Sequence, residues 1–180
     1  MEYEFKSDEE RQFADWLEEA KVALLVTDWL YEPTSFELLP ARNFIGEVRT
    51  KTKVKMVERC LHQASNYTQD FRVVFSEVGL RTFNDVFKKS MLTAKDPHIQ
   101  YFDTKGGFSR QDDGRHFSLL QKLFYDKHGI WTEKIVPKKL FIKTYAPESV
   151  RWMKGRKTPT LTKIGTQTKT IGEFLKEYCE

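Results

Sequence analysis

Two short β-rich segments, separated by a stretch with helical spacing, constrain the fold of this chain more than any other feature. Residues 71–75 read Phe-Arg-Val-Val-Phe, and these aromatic and β-branched side chains predict a strand. Residues 99–105 alternate in the manner of a second strand, which Gly106 and Gly107 end. Apolar residues between the two strands recur at helical spacing, so we expect a helix inserted near 83–92.

Helices are predicted on both sides of these strands. Ser7-x-x-Glu10 has the pattern of a capping box and opens an amphipathic helix at about 7–21. A broad apolar stripe predicts another helix at 115–127, and residues 48–61 fit a strand or a helix. Further strands are predicted at residues 22–31, 35–39, 130–136 and 140–142. This alternation favours an α/β or α+β fold with a mixed central sheet flanked by helices.

Length and composition predict one globular unit. The chain has 180 residues, of which 39% are hydrophobic and 31% charged, and this balance argues against wholesale disorder. We expect a single core domain at 1–145 and a basic C-terminal extension at 146–180 that ends in a short helix. The longest apolar run, residues 22–26, is far too short to span a membrane. With two cysteines and no secretory signal, an intracellular, cytoplasmic protein is expected.

Charge is distributed unevenly along the chain. Residues 1–40 hold three basic and eleven acidic side chains, whereas the remainder carries a net charge of +12. Between residues 149 and 172 there are six basic side chains and no acid. Such asymmetry suggests a polyanionic partner, most often nucleic acid, although a basic surface kept for solubility explains the charge almost as well.

Two carboxylates are predicted to meet at the ends of neighbouring strands. Asp103 and Lys105 lie on one face of the second strand, because side chains of a strand alternate between its faces. Asp70 stands at the entrance of the first strand, and it faces Asp103 if the two strands pair. Carboxylate oxygens, with the backbone carbonyl of Thr104, suit Mg²⁺ or Mn²⁺. Lys105 would then lie where it can activate water and stabilise charge on a phosphate.

This order of residues resembles the PD-(D/E)XK nuclease superfamily. The resemblance covers roughly residues 5–136 and rests on Glu10 in the first helix, Asp70 before a strand, and Asp103-Thr-Lys105 in the next strand. It implies a restriction-endonuclease-like αβββαβ core. It also implies that Glu10, Asp70 and Asp103 hold the metal and that Lys105 is catalytic, with Glu9 as an adjacent rival to Glu10. Residues 5–10 and 67–71 look like the corresponding segments of small phage and transposon members, including Holliday-junction resolvases. A resolvase is expected to be a homodimer.

Further residues are expected to contact DNA. Gln121-x-x-x-Tyr125 resembles the QxxxY motif of RecB-like nucleases, where it contacts DNA. Basic side chains that can follow phosphates are Lys122, Arg151, Lys154, Arg156 and Lys157. The expected function is a metal-dependent DNA nuclease that acts on branched or recombination intermediates. The alternatives are a nucleic-acid-binding module without turnover on the same fold and a protein-interaction domain.

Overall fold

The computed structural model describes residues 3–89, 95–106, 111–153 and 160–179. Its helices are α1 (Asp8–Val22), α2 (Glu77–Phe83), α3 (Gln111–His128), α4 (Pro137–Lys143), α5 (Glu148–Arg151), α6 (Lys163–Gln167) and α7 (Ile171–Cys179). Its strands are β1 (Val26–Tyr31), β2 (Ser35–Leu39), β3 (Arg42–Arg49), β4 (Val54–His62), β5 (Ser65–Thr68), β6 (Phe71–Phe75), β7 (Ile99–Thr104) and β8 (Thr132–Ile135).

A four-stranded mixed sheet with the order β1-β6-β7-β8 forms the centre of the fold. β1 pairs antiparallel with β6 and β6 pairs antiparallel with β7, whereas β8 runs parallel to β7. A parallel neighbour requires a crossover connection, and α3 lies in that connection. The chain is therefore a mixed α+β protein with a mixed central sheet flanked by helices, which confirms the predicted fold class at this level.

Helices pack on opposite faces of the sheet. On one face, the ring centroid of Phe13 in α1 lies 5.0 Å from that of Phe71 and 5.6 Å from that of Phe102. On the other, Phe124 of α3 packs 5.4 Å from Tyr67 in a smaller cluster. Since strand side chains alternate, the neighbour of Phe102 in β7, Asp103, points to the face covered by α3. The acidic site is thus placed between the sheet and α3.

The ends of the long helices follow their sequence signals closely. Ser7 caps α1, since its hydroxyl accepts from the backbone N–H of Glu10 at 3.2 Å. The carboxylate of Glu10 accepts from the backbone N–H of Lys6 at 2.8 Å, one residue before the position that a capping box predicts. Gly129 follows α3 with a φ of 66°, the left-handed conformation that a glycine adopts at low cost.

A long β-ribbon is inserted between β1 and β6. β2 pairs with β5, and β3 pairs with β4 along their whole lengths, both antiparallel. Residues 48–61, which fitted either a strand or a helix, thus belong to strands and the turn between them. Almost every side chain of β3 and β4 is exposed, including the apolar Ile45 and Met56. We call β3 and β4 the outer ribbon. It lies outside the core, and a two-stranded hairpin without core contacts has only marginal stability.

Two sequence predictions differ from the structure. The strand predicted at 140–142 is wrong, because these residues lie in α4, where Pro137 occupies the first turn after an extended Val136. Proline is common at the first position of a helix, because the backbone N–H that it lacks would have no partner within the helix there. The helix expected near 83–92 is wrong at its start, because α2 ends at Phe83 and residues 84–87 form a turn and a bend. Residues 90–94 lie outside the described residues.

The C-terminal extension packs against the main core. Phe174 in α7 is 1% exposed and stacks on Phe83 at 5.8 Å between ring centroids. Thr170 caps α7, with its hydroxyl accepting from the backbone N–H of Glu173 at 3.2 Å. Among the helices of the described ranges, none is both long enough and apolar enough to cross a membrane.

Candidate active site

Asp70 and Asp103 meet at one end of the central sheet. β6 and β7 pair with Phe71 opposite Phe102, so the next pair in register is Asp70 with Asp103. One oxygen of Asp70, Oδ2, accepts from both the backbone N–H and the hydroxyl of Thr104, at 2.6 and 2.8 Å. The structure thus brings together the two acids that the sequence predicted would face each other.

Asp103 is held from two sides. The hydroxyl of Tyr67 donates to its Oδ2 at 2.8 Å, and the ammonium of Lys105 donates to its Oδ1. The residue is only 4% exposed, whereas the side chain of Lys105 is 35% exposed. A buried carboxylate of this kind is stable only when it is paired and hydrogen-bonded, and both conditions hold here.

The pair of acids perturbs the groups around it. Burial, together with the neighbouring charge of Asp103, raises the pKa of the Asp70 carboxyl to about 7, although the hydrogen bonds from Thr104 act in the opposite direction. Burial and then the charge of Asp103 also raise the pKa of Tyr67 well above its ordinary value. Tyr67 therefore stays a hydrogen-bond donor to Asp103 at neutral pH, and Asp70 retains a proton more readily than an exposed aspartate.

A cleft of about 570 Å³ opens over the two acids. Lys134 of β8 lies in register with Asp103 across the parallel pair of strands. The ammonium groups of Lys105 and Lys134 lie 5.8 and 6.0 Å from the ring centroid of Phe117 in α3. The lining residues come from four elements and their connections and are Tyr67, Thr68, Asp70, Asp103, Lys105, Gly106, His116, Phe117, Leu120 and Lys134. The cleft thus combines acids with cations that can meet a phosphate.

The acids of α1 take different positions. Glu10 is buried, and its Oε2 accepts from the hydroxyl of Tyr31 at 2.7 Å as well as from the N–H of Lys6. Glu9 reaches Gly106, since its Oε1 lies 3.5 Å from the point where a Cβ on that glycine would stand. Glu9 therefore approaches the strand end that carries Lys105, while Glu10 is occupied by its own neighbours.

Two of the three α3 residues expected to contact DNA have contacts within the protein. Gln121 donates to the backbone carbonyl of Thr132 at 2.6 Å and so ties α3 to β8. Tyr125 packs against Trp131 with ring centroids 6.0 Å apart, and Lys122 is exposed on α3. None of these three lines the acidic cleft.

The basic residues of the C-terminal extension are only partly described. Arg151 has a side chain that is 11% exposed and donates to the carbonyl of Thr168 at 2.6 Å, which ties α5 to the end of α6. An arginine buried in this way stabilises the extension and presents little charge to a partner. Lys154, Arg156 and Lys157 lie outside the described residues.

The site contains a pair of acids that fits a divalent cation. Asp70 and Asp103 are adjacent carboxylates, the first partly buried and the second buried. Burial, followed by the charge of Asp103, raises the pKa of Asp70, and a bound cation would offset the cost of ionising it. Among the residues that the structure describes, no cluster of three or more His, Cys, Asp or Glu side chains is arranged to hold a metal. Glu10 therefore does not complete such a cluster, and the metal roles of Asp70, Asp103, Glu10 and the Thr104 carbonyl all stay predictions.

Tyr67, His116 and Lys134 were not predicted as site residues. Tyr67 stands three residues before Asp70, and that spacing does not reveal the hydrogen bond to Asp103. Lys134 joins the site through the parallel pairing of β7 and β8, which sequence periodicity alone does not give.

Comparisons with protein-family models, curated proteins and solved structures found no match.

Proposed function

We propose that this chain is a metal-dependent DNA nuclease of the PD-(D/E)XK type that hydrolyses phosphodiester bonds. One observation carries the proposal. Asp70, Asp103 and Lys105 converge at one end of the central sheet and line a single cleft. Two acids and a lysine at the ends of paired strands are the group that the sequence resemblance implies for cleavage of a nucleic-acid backbone.

The order of elements supports the same assignment. When the ribbon of β2 to β5 and the helix α2 are set aside as insertions, the remaining elements run α1, β1, β6, β7, α3, β8. This is the αβββαβ order of a restriction-endonuclease-like core. The antiparallel pairs and the final parallel strand are formed by these same core strands.

The side chains of the cleft suit phosphodiester hydrolysis. Asp70 and Asp103 are the residues that would hold Mg²⁺ or Mn²⁺, which when bound supplies a Lewis acid and lowers the pKa of water. Thr104 fixes the orientation of Asp70, and Tyr67 fixes that of Asp103. Lys105 and Lys134 place two ammonium groups where phosphate oxygens would enter, and so stabilise negative charge that develops during cleavage.

A cleavage assay tests this function. Labelled single-stranded, duplex, flap and four-way-junction DNA are incubated with the protein and Mg²⁺ or Mn²⁺. We expect cleavage by the wild type, no cleavage by Asp103→Asn, and a loss of about 10²- to 10³-fold in Lys105→Met. Asp126→Asn changes an exposed acid of α3 and is the matched control. Metal-independent cleavage, or equal cleavage by all four proteins, would contradict the proposal.

A nucleic-acid-binding module without turnover is the second candidate. The observation in its favour is that Glu10, the helix acid that the resemblance implies as a metal ligand, is engaged by Tyr31 and Lys6. This candidate predicts DNA binding without a metal and no cleavage of any substrate in the panel. It also predicts that Asp103→Ala leaves affinity unchanged or improves it, because removing an acid lowers repulsion of phosphates.

A further inference from the structure

A second cavity adjoins the acidic cleft. It has a volume of about 420 Å³ and shares Gly106 and Lys134 with the cleft. The remaining lining residues come from the segment after α2, from β8 and from α4, and are Val86, Phe87, Glu133, Ile135, Val136, Lys139, Leu140 and Lys143. The two cavities therefore adjoin at the strand end that carries the acids, and we call the second one the lysine groove.

Three lysines give this groove its charge. Lys139 and Lys143 are exposed and four residues apart in α4, so they lie on the same side of the helix with Cβ atoms about 6 Å apart. Lys134 stands between the groove and the cleft. In the described part of the chain, none of the three forms an ion pair with a carboxylate within 4.0 Å.

The surroundings of the lysines favour an anion over simple solvation. Val86, Phe87 and Leu140 provide apolar surface along which the long lysine stems can lie while their ammonium groups stay free. Among the described residues that line the groove, the one acid is Glu133, which accepts a hydrogen bond from the indole of Trp131 at 3.3 Å. The groove is therefore a concave, cationic surface that continues from the acidic cleft.

We propose that the lysine groove binds the phosphates of the nucleic-acid strand that leads away from the cleaved bond. The proposal rests on the proposed nuclease function. A DNA strand carries one phosphate every ~3.4 Å along the helix axis, so a strand held at the acids must continue over a neighbouring surface. In this proposal, the ammonium group of Lys134 contacts the phosphate nearest the acids, and those of Lys139 and Lys143 contact the phosphates that follow.

Neighbouring lysines provide a matched control. Lys138 is adjacent to Lys139 in sequence but lines a different cavity, together with Lys163 at the start of α6. Both are exposed, as Lys139 and Lys143 are. The double variants Lys139→Ala/Lys143→Ala and Lys138→Ala/Lys163→Ala therefore remove the same charge from two different surfaces, and circular dichroism and thermal melting verify that both fold.

Binding of a fluorescent DNA duplex is measured by anisotropy at several salt concentrations, in the presence of a chelator so that no cleavage occurs. For the groove double variant we expect affinity to fall about tenfold and the slope of log K against log salt to decrease by about 1.8, since each phosphate contact contributes about 0.9. The control double variant is expected to change affinity less than about twofold, because its lysines contact no phosphate.

The outcomes separate the two proposals. If the wild type binds and cleaves DNA but the two double variants bind equally, the lysine-groove assignment is overturned and the nuclease stands. If the wild type neither binds nor cleaves, both fall. Inorganic phosphate is added as a competitor at a concentration equal to that of the phosphate groups in the DNA. Displacement of the DNA at that concentration would show a site for small free anions and would also overturn the assignment to a strand.

Discussion

Replacing Asp70 with Asn is expected to stabilise the protein in the absence of metal. Burial and the proximity of Asp103 raise the pKa of Asp70 from 3.8 to about 7. Each pKa unit corresponds to about 1.4 kcal/mol, so ionising Asp70 in the folded state costs of order 4 kcal/mol. Asparagine keeps an oxygen that accepts the two Thr104 hydrogen bonds but carries no charge. Because an amide oxygen accepts more weakly than a carboxylate, the net gain is about 2–4 kcal/mol at pH 8.

The size of this effect depends on pH. Because its pKa is higher in the folded state, Asp70 contributes stability that is complete below pH 3.8 and is lost as the pH rises through about 7. The difference between Asp70→Asn and the wild type is therefore near zero at pH 4 and largest at pH 8.

Thermal melting with a chelator, repeated from pH 4 to pH 8, measures the effect of Asp70→Asn. A gain of this size raises the melting temperature by roughly 5–15 °C at pH 8 in a chain of this length. Asp126→Asn, at an exposed position, is the control and should follow the wild type at every pH. A difference that does not vary with pH, or an Asp70→Asn protein that is less stable at pH 8, would refute the electrostatic argument.

Four further predictions concern stability. Gly79→Ala should cost about 3 kcal/mol in urea denaturation, because a Cβ there would lie 1.9 Å from the carbonyl oxygen of Leu25. Gly172→Ala, where a Cβ meets nothing within 4 Å, should instead stabilise α7 by about 0.5–1 kcal/mol. Phe174→Ala should cost about 3–5 kcal/mol, and a smaller loss would show that the C-terminal extension is not part of the core. Replacing β3, β4 and their connection with an Asn-Gly turn should change the melting temperature by less than about 3 °C, because the exposed outer ribbon adds little to the core. A larger drop would show that the ribbon supports the core.

Local sequence patterns were sufficient to predict the centre of the sheet. Phe71 and Phe102 belong to paired strands, and both side chains point toward α1. Because side chains alternate along a strand, the neighbours of these two residues are predicted to point to the opposite face of the sheet. Asp70 and Asp103 follow from that alternation together with the antiparallel pairing of adjacent strands. The antiparallel pairing of β6 and β7 thus lets a short-range signal predict a contact 33 residues apart in sequence.

Other features depend on information that local patterns do not contain. The outer ribbon buries neither face, so β3 and β4 lack the apolar alternation toward a core by which strands are usually identified. Residues 140–142 are apolar enough for a strand, but Pro137 begins a helix there and the tertiary contacts of Leu140 and Phe141 decide the outcome. Lys134 reaches the site only because a crossover through α3 returns the chain parallel to β7.

The charged groups at the end of the sheet are more consistent with a binding site than with interactions that stabilise the fold. Lys105 neutralises Asp103, and Tyr67 donates a further hydrogen bond to it, whereas Asp70 accepts hydrogen bonds from the uncharged donors of Thr104. A fold selected for stability alone would place an amide at Asp70, since that removes the cost of ionisation and keeps both Thr104 bonds. The cost of ionising Asp70 is therefore consistent with the proposed site for a divalent cation, at which a carboxylate would be required.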